Sequence, residues 1–182
     1  MNDPSRSPVN PDLAEKLHKI RLLALDVDGV LTDGSIIYDH HGKELKGFNV
    51  KDGLGIRLLI KAGIDVCIVS GRASEALKAR CNHLGIHHVY SGIPDKALIL
   101  PVILKDTDLI PEQIAFMGDD LPDIPLMNLV GLSIAVSDAH EMVRENADWI
   151  TLSAGGRGAV REVSEIMLKT QGLWSSGLYS SL

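Results

Sequence analysis

Short apolar runs alternate with helix-like segments along most of this 182-residue chain. The runs are short and rich in aliphatic side chains, and most adjoin glycine or acidic residues, which is typical of buried strands. The runs are RLLALDVDGV, IDVCIVSG, HHVYSG, QIAFMGDD, LSIAV and DWIT. Because strands that alternate with helices form parallel sheets covered on both faces, the sequence predicts an α/β fold with a Rossmann-like, doubly wound parallel sheet.

One folded domain is expected, with a short polar segment at each end. A chain of 182 residues is long enough to bury a single core. Residues 1–10 are polar and proline-rich, which predicts disorder, and a short helix is expected over about 11–20. We set the N-terminal tail at 1–12, the domain at 13–171 and the C-terminal tail at 172–182.

Residues 35–48, SIIYDHHGKELKGF, break the alternation of strands and helices. Two β-prone arms flank a polar turn at His40, His41 and Gly42, so the segment predicts a β-hairpin. Two adjacent histidines are also compatible with a metal site, but on a hairpin turn a solvated position is favoured. A second local irregularity is Pro101, which is expected to kink the helix predicted over PDKALILPVILK.

Composition and charge exclude several classes of function. The formal net charge is −6 and no long basic run is present, which argues against a nucleic-acid partner. No apolar stretch approaches the roughly 20 residues that span a bilayer, and the first 20 residues lack the apolar core of a secretory signal. Cys67 and Cys81 lie in apolar or helical contexts that indicate buried free thiols, so a cytoplasmic location is expected.

The motif DVDGVLTDG places two carboxylates, Asp26 and Asp28, at the end of the first predicted strand. Close carboxylates repel each other, and one pKa rises unless a cation neutralises them. Mg²⁺ prefers oxygen ligands and would relieve the repulsion. An acidic strand end that only precedes a loop explains this motif alone equally well.

Two further segments carry polar groups that suit a phosphoryl group. Ser70 and Arg72 follow the second long strand in SGR, where a hydroxyl and loop amides could bind a phosphoryl oxygen. Lys96 begins a helix, where the macrodipole disfavours a cation unless an anion lies nearby. Taken singly, the simpler explanations are an ST-turn at Ser70 and a solvated lysine paired with Asp95.

A third acidic group follows the strand QIAFM, in GDDLPD, with Asp119, Asp120 and Asp123. Three acids within five residues after a buried strand suit a metal site, the alternative being a solvated acidic loop. In open parallel sheets, ligands bind beyond the carboxyl ends of the strands. The fold prediction therefore brings these acids together with Asp26 and Ser70 at one edge.

The order DxDGVxT, SGR, lysine, GDDxxD resembles the haloacid dehalogenase superfamily. Within it, residues 13–171 are most similar to the 3-deoxy-D-manno-octulosonate 8-phosphate phosphatases. The stretches that carry this resemblance are DVDGVLTDG, KGFNVKDGLGIRLL, SGRAS, LGIHHVYSGIPDK, MGDDLPDIPLM, AVSDAHEMV and GGRGAVREV.

The resemblance implies a magnesium-dependent phosphatase that acts through an aspartyl-phosphate. Asp26 matches the nucleophile, and Asp28 matches the acid/base that serves the leaving group and then the attacking water. Mg²⁺ is expected on Asp26, the backbone carbonyl of Asp28, and Asp119. Ser70 and Lys96 match the groups that hold the transferring phosphoryl oxygens.

The resemblance also implies a substrate, 3-deoxy-D-manno-octulosonate 8-phosphate, hydrolysed in lipopolysaccharide biosynthesis. The expected substrate-binding residues are Asp28, Asn49, Val50, Lys51, Asp52, Gly53, Arg57, Arg72, Arg80, Lys96 and Asp120. Arginine forks suit the carboxylate of a sugar acid, although Arg57 and Arg80 would also be ordinary as exposed helix residues. The alternatives are a phosphatase of acylneuraminate 9-phosphates and, from a different class, a non-catalytic binding module.

Assembly is the last implication of the resemblance. The intervals from Asp28 to Ser70 and from Ser70 to Lys96 are too short for a cap domain. Capless relatives shield the site by forming a homotetramer in which each hairpin covers a neighbour's site. Residues 35–48 match that hairpin, and its apolar Ile36, Ile37 and Tyr38 suit burial against another chain.

Overall fold

The computed structural model describes residues 10–180. In this range, six strands form a parallel sheet in the order β5-β4-β1-β6-β7-β8, and two form an antiparallel hairpin, β2-β3. The strands are β1 (Leu22–Leu25), β2 (Ile37–Tyr38), β3 (Glu44–Leu45), β4 (Asp65–Ser70), β5 (His88–Ser91), β6 (Ile114–Gly118), β7 (Leu132–Ala135) and β8 (Trp149–Ile150). The predicted parallel α/β sheet is confirmed.

Helices flank the sheet, with α2 packed on α7 and α5 on α6. The helices are α1 (Pro11–Lys19), α2 (Val50–Lys61), α3 (Glu75–Leu84), α4 (Leu100–Thr107), α5 (Ile124–Met127), α6 (Glu141–Asn146), α7 (Ala159–Thr170) and α8 (Ser176–Tyr179). Most of the tail predicted at 1–12 lies outside the described residues, and Pro11 already begins α1.

The central strand β1 is buried throughout and hydrogen-bonded on both sides. Its last residue, Leu25, lies opposite Ile68 of β4 and Met117 of β6. The carboxyl ends of these three strands are therefore nearly level. This register brings the segments that follow them, which carry Asp26 and the two other polar motifs, to one edge of the sheet.

The hairpin predicted at 35–48 is present, with Ile37 opposite Leu45 and Tyr38 opposite Glu44. Ile36, Ile37 and Tyr38 expose 54%, 50% and 59% of their surface, which is high for apolar side chains. Between residues 28 and 70 the chain holds only this hairpin, α2 and β4, so no cap domain is inserted there.

Pro101 does not kink a helix, contrary to the sequence expectation. The segment begins as a 3₁₀ turn, Lys96–Ile99, and becomes α-helical at Leu100, so that Pro101 lies in the first turn of α4. A proline costs no helical hydrogen bond in the first turn, because the N–H groups there have no partner within the helix. The proline therefore marks where α4 begins.

The C-terminal tail folds back on its own chain as far as residue 180. Lys61 Nζ donates to the carbonyl of Leu178 at 2.8 Å, and Leu178 is buried. The Trp174 ring lies 5.0 Å from Lys169 Nζ and 5.9 Å from the Arg161 guanidinium. These contacts attach the tail to α2 and α7.

Candidate active site

Asp26 follows β1 directly, and its backbone N–H continues the sheet by donating to the Met117 carbonyl at 3.0 Å. The side chain is only 7% exposed. Its Oδ1 lies 2.7 Å from Lys96 Nζ. The sheet therefore fixes the backbone of Asp26, and a buried cation fixes its carboxylate.

Lys96 bridges two carboxylates rather than pairing with its neighbour Asp95. Its Nζ lies 2.5 Å from Asp123 Oδ1 as well as 2.7 Å from Asp26 Oδ1, and the side chain is 5% exposed. Burial opposes the charge of Lys96, but Asp26 and Asp123 outweigh it and raise the pKa. Asp95 accepts from the Ala97 N–H instead, at 3.0 Å, and so caps the turn. Lys96 is a fixed cation at the cleft floor.

Asp123 shapes the GDDLPD loop from within. Its Oδ2 accepts from the backbone N–H groups of Asp119 at 2.8 Å and Asp120 at 3.2 Å, while its Oδ1 contacts Lys96. Asp123 is 1% exposed, so both oxygens are committed to the protein. Asp120 is exposed and accepts from the Leu121 N–H at 2.8 Å. The loop acids thus divide into a buried organiser and exposed or partly exposed groups near the cleft.

Asp119 has the environment of a metal ligand. Its Oδ1 is buried and finds no hydrogen-bond partner among residues 10–180. Burial and the neighbouring charges of Asp26 and Asp123 raise the pKa of Asp119 to about 8. Burial and Asp123 likewise raise the pKa of Asp26 to about 6. One oxygen from each of Asp26, Asp119 and Asp123 lies within 4.8 Å of the others, so a divalent cation would relieve their mutual repulsion.

Gly29 is required for Asp119 to reach this position. A Cβ at residue 29 would lie 2.0 Å from Asp119 Oδ2, and the backbone there has a φ of +96°. Both the close approach and the left-handed backbone favour glycine. The glycine of DVDG therefore makes room for the carboxylate of GDD.

These raised pKa values predict how Mg²⁺ stabilises the protein. Without metal, the folded state keeps protons on Asp26 and Asp119 that the unfolded chain has already lost above its pKa near 4. Stability should therefore fall as pH rises from about 4 to about 8. Bound Mg²⁺ favours the ionised forms, so the increase in melting temperature on adding Mg²⁺ should grow with pH. Thermal unfolding at pH 5.5 and 8.5, with Mg²⁺ or EDTA, measures this; an increase that is independent of pH would contradict it.

Ser70 ends β4, and Arg72 follows it by two residues. Ser70 Oγ accepts from the Arg72 N–H at 3.2 Å, so the ST-turn proposed as the simpler explanation is present. Ser70 is nevertheless one of the residues that line the same cleft as Asp26. The turn and a place in the cleft are therefore compatible, so the structure leaves both interpretations of Ser70 open.

The chain's own hairpin contacts the site, which the sequence reasoning missed. Lys46 Nζ forms an ion pair with Asp28 and lies 3.0 Å from Glu44 Oε1. Arg72 Nη2 lies 2.5 Å from Glu44 Oε2, and its Nε lies 3.7 Å from Asp28 Oδ2. The charged residues of KELK, 43–46, were the signal available in the sequence. Only the structure shows that Glu44 and Lys46 lie beside Asp28 and Arg72.

The site residues predicted from sequence divide into two groups. One group lines a single cleft of about 230 Å³: Asp26, Asp28, Ser70, Arg72, Lys96, Asp119 and Asp120, joined by Gly71, Pro122 and Asp123. The other group lies on α2 and α3 and does not line this cleft within the described chain: Asn49, Val50, Lys51, Asp52, Gly53, Arg57 and Arg80. The roles of both groups stay predictions, phosphoryl chemistry for the first and binding of the sugar for the second.

Within the second group the side chains differ in accessibility. Arg80 Nη2 donates to the Asn49 carbonyl at 3.2 Å, and its guanidinium lies 5.7 Å from the Phe48 ring centroid. Val50 and Arg57 are exposed, whereas Asp52 is 1% exposed. Asn49 follows Lys46 by three residues, so the start of α2 lies within roughly 11 Å of Lys46 along the chain.

His40 and His41 are exposed at the hairpin turn, with ring centroids 3.8 Å apart. Among residues 10–180, the side chains grouped closely enough to hold a metal ion are those of Asp26, Asp119 and Asp123, and neither histidine belongs to this group. In the same range, no helix combines the length and apolar composition needed to cross a bilayer.

Comparison with known proteins finds a matching family and similar proteins over most of the chain. Residues 87–163 match the family of haloacid dehalogenase-like hydrolases. The Escherichia coli K12 protein named 3-deoxy-D-manno-octulosonate 8-phosphate phosphatase KdsC is 48% identical over 165 residues, which cover 91% of this chain and 88% of that protein.

Two crystal structures extend the comparison. The 3-deoxy-D-manno-octulosonate 8-phosphate phosphatase of Yersinia pestis superposes with a TM-score of 0.91 and 47% identity, covering 94% of this chain and 93% of its own. The enzyme of the same name from Moraxella catarrhalis, in complex with magnesium, phosphate and KDO, gives a TM-score of 0.85 and 42% identity, covering 87% and 91%.

Proposed function

This chain belongs to the 3-deoxy-D-manno-octulosonate 8-phosphate phosphatase family of the haloacid dehalogenase-like hydrolases, and from that premise we propose how its residues divide the chemistry. It is a magnesium-dependent phosphomonoesterase that hydrolyses 3-deoxy-D-manno-octulosonate 8-phosphate to KDO and phosphate, in lipopolysaccharide biosynthesis. The observation that carries the assignment of roles is the buried Asp26–Lys96–Asp123 group beside the unpartnered oxygen of Asp119.

In the first step, an Asp26 carboxylate oxygen attacks the phosphorus, and the bond between phosphorus and the sugar oxygen breaks. Lys96 holds Asp26 in place and offsets the charge of the phosphoryl oxygens, while Ser70 orients them by donating a hydrogen bond. Asp28, which takes up a proton before this step, gives that proton to the departing sugar oxygen, so that KDO leaves with a neutral hydroxyl group.

In the second step, water attacks the phosphorus of the aspartyl-phosphate. Asp28, now ionised, takes the proton from that water, and the bond between phosphorus and Asp26 breaks to release phosphate. Because Asp28 ends protonated and Asp26 ends free, the enzyme returns to its starting state. Dividing one displacement into two steps lets a fixed carboxylate act where free water would react slowly.

Asp26, Asp119 and the backbone carbonyl of Asp28 would hold the magnesium ion. Its charge screens the approach of an anionic nucleophile to an anionic ester. Asp123 is not proposed as a ligand, because both its oxygens already accept from Lys96 and from the loop N–H groups. Its role is to fix Lys96 and the backbone that carries Asp119.

The sugar acid is proposed to extend from this cleft toward the start of α2 and α3. Arg72 and Arg80 would contact its carboxylate and hydroxyls, together with Asn49 and Lys51. Arg72 supports this because it lines the cleft with 44% of its side chain exposed. Arg80 supports it because it is joined to the Asn49 carbonyl.

Replacing Arg80 with alanine is expected to raise KM for the sugar acid phosphate by about 10- to 100-fold, the range for losing a charge-assisted contact. Hydrolysis of p-nitrophenyl phosphate, which lacks the carboxylate, should change by less than about threefold, because a lost contact penalises only the substrate that made it. Steady-state kinetics with both substrates make the comparison. Equal losses on both would assign Arg80 to the fold or to the phosphoryl site.

Homotetramer formation is proposed for the assembly, with the hairpin tip covering a neighbour's cleft. The exposed apolar side chains Ile36, Ile37 and Tyr38 support it, since a free flap would leave them in water. The base of the same hairpin contacts its own cleft through Lys46. A cytoplasmic location is proposed from Cys67 and Cys81, which are buried and unpaired.

Phosphate release from a panel of sugar acid phosphates tests the assignment of substrate. The eight-carbon 8-phosphate should have a kcat/KM at least tenfold above that of an acylneuraminate 9-phosphate, and each rate should depend on Mg²⁺. A preference for the nine-carbon substrate would move the chain to the alternative specificity considered from its sequence.

A further inference from the structure

Asp52 lies in the middle of the segment expected to bind substrate, yet its side chain faces the protein. Asp52 is 1% exposed, and burial raises the pKa of its carboxyl group although backbone hydrogen bonds oppose the shift. Its Oδ1 accepts from the Arg161 N–H at 2.8 Å and its Oδ2 from the Gly158 N–H at 3.2 Å. Asp52 therefore joins the first turn of α2 to the first turn of α7, and no face of its carboxylate is open to a ligand.

The loop before α7, residues 155–158, also contacts the nucleophile loop. A Cβ at Gly155 would lie 1.6 Å from the Gly29 carbonyl oxygen, so the two backbones are in direct contact. The Gly156 N–H donates to the Val30 carbonyl at 2.9 Å, and the Gly156 carbonyl accepts from Asn49 Nδ2 at 3.2 Å. The loop at 155–158 thus touches both the DVDG turn and the start of α2.

On its other side, the start of α2 is held by α3. Arg80 Nη2 donates to the Asn49 carbonyl, and a Cβ at Gly53 would lie 2.1 Å from the same nitrogen. The segment 49–53 therefore lies between the α7 N-terminus and Arg80. The hydrogen bonds to Asp52 from the start of α7 and to Asn49 from Arg80 therefore fix where this segment lies relative to Asp26.

We propose that Asp52 is a positioning residue, which sets the sugar-binding segment 49–53 at a fixed distance from the nucleophile loop by capping α7, and does not itself contact the substrate. The proposal rests on the proposed function only in taking 49–53 as the sugar-binding segment. A carboxylate is needed because it offers an acceptor to each N–H group. An amide at this position would present one acceptor and one donor, so one buried N–H group would face another donor.

Asp52→Asn is the test, because it keeps the size of the side chain and removes one acceptor. KM for 3-deoxy-D-manno-octulosonate 8-phosphate should rise at least tenfold, with kcat and both constants for p-nitrophenyl phosphate within about twofold of the wild type. Amide hydrogen exchange in residues 49–53 should speed up at least tenfold, a readout that needs no substrate. If Asp52→Asn does not fold, Asp52→Glu keeps the charge and moves it, and the same division between substrates is expected.

Glu162→Gln is the matched control. Glu162 also lies in the first turn of α7 and accepts from two backbone N–H groups, those of Leu152 at 2.8 Å and Ser153 at 2.9 Å, which lie outside the segment 49–53. The Glu162→Gln variant should have a lower melting temperature than the wild type, with KM and amide hydrogen exchange in residues 49–53 unchanged. The proposal is overturned if Glu162→Gln raises KM as much as Asp52→Asn, if Asp52→Asn slows both substrates equally, or if exchange in 49–53 is unchanged. Wild-type enzyme inactive on the sugar acid phosphate would refute the proposed function instead, and the exchange result would still decide the role of Asp52.

Discussion

Asp26→Asn is expected to lower kcat for the sugar acid phosphate by roughly 10⁴-fold or more, the scale on which removing a nucleophile acts in other hydrolases. The amide is nearly the same size as the carboxylate but does not attack phosphorus. Phosphate release, measured on protein whose mass confirms the substitution, gives the result. Residual turnover of a tenth of the wild-type rate would remove Asp26 from the nucleophilic role.

The fold should survive this substitution. Burial and the charge of Asp123 already raise the pKa of Asp26 to about 6, so a neutral side chain removes an unfavourable charge from the metal-free protein. Lys96 keeps Asp123 as its partner. Asp33→Asn is a suitable control, because Asp33 belongs to the same DVDGVLTDG segment but is exposed and pairs with Arg157. It should retain activity within about threefold of the wild type.

Metal removal is the second change with a large expected effect. Chelation should abolish turnover and Mg²⁺ should restore it. Asp119→Ala should raise the Mg²⁺ concentration for half-maximal activity by at least about 100-fold, since even residues behind metal ligands contribute 10- to 100-fold. The physical reason is that Asp119 Oδ1 is buried without a partner among residues 10–180, so the metal is its expected counter-charge. Activity measured against Mg²⁺ concentration for both proteins gives the comparison.

The same titration has a structural control. In EDTA, Asp119→Ala should be at least as stable as the wild type, because it removes the buried carboxyl group whose pKa is raised to about 8. In Mg²⁺ the order should reverse, because only the wild type gains from binding. A variant that is less stable in EDTA and keeps the wild-type Mg²⁺ dependence would show that Asp119 serves packing rather than the metal.

Much of this fold was predictable because its strands are short, apolar and level at their carboxyl ends. The run LLAL is buried on both faces of the sheet, and a short, wholly apolar run of this kind favours a central strand. The effect of Pro101 was not predictable from a period of 3.6 alone. A 3₁₀ turn at Lys96–Ile99 shifts the start of the α-helix to Leu100, and this places the proline where it costs nothing.

The motif residues at strand ends could be predicted as site residues, because the topology of the sheet alone brings those strand ends together. The roles of the individual acids were less predictable. GDDLPD presents three aspartates that look alike in sequence, yet Asp123 is buried and organises the loop, while Asp120 is exposed and caps a turn. The difference comes from where Lys96 and the loop N–H groups point, which is a property of tertiary structure.

Glu44 and Lys46 illustrate the same limit. A hairpin was predicted at 35–48, but its register decides which side chains face the cleft. A shift by one residue would move Lys46 to the opposite face and remove its contact with Asp28. The contact of the chain's own hairpin with Asp28, the proposed acid/base, therefore emerged only from the structure.

The proposed role of Asp26 as nucleophile is tested most directly by identifying the residue that is phosphorylated during turnover. Wild-type enzyme, mixed with 3-deoxy-D-manno-octulosonate 8-phosphate and Mg²⁺ and stopped with acid within one turnover, is digested and its peptides are analysed by mass spectrometry. One phosphoryl group is expected on Asp26, formed and lost at rates compatible with kcat, and none in Asp26→Asn. A phosphoryl group on another residue, or turnover with no phosphorylated peptide under conditions that preserve acyl phosphates, would contradict it.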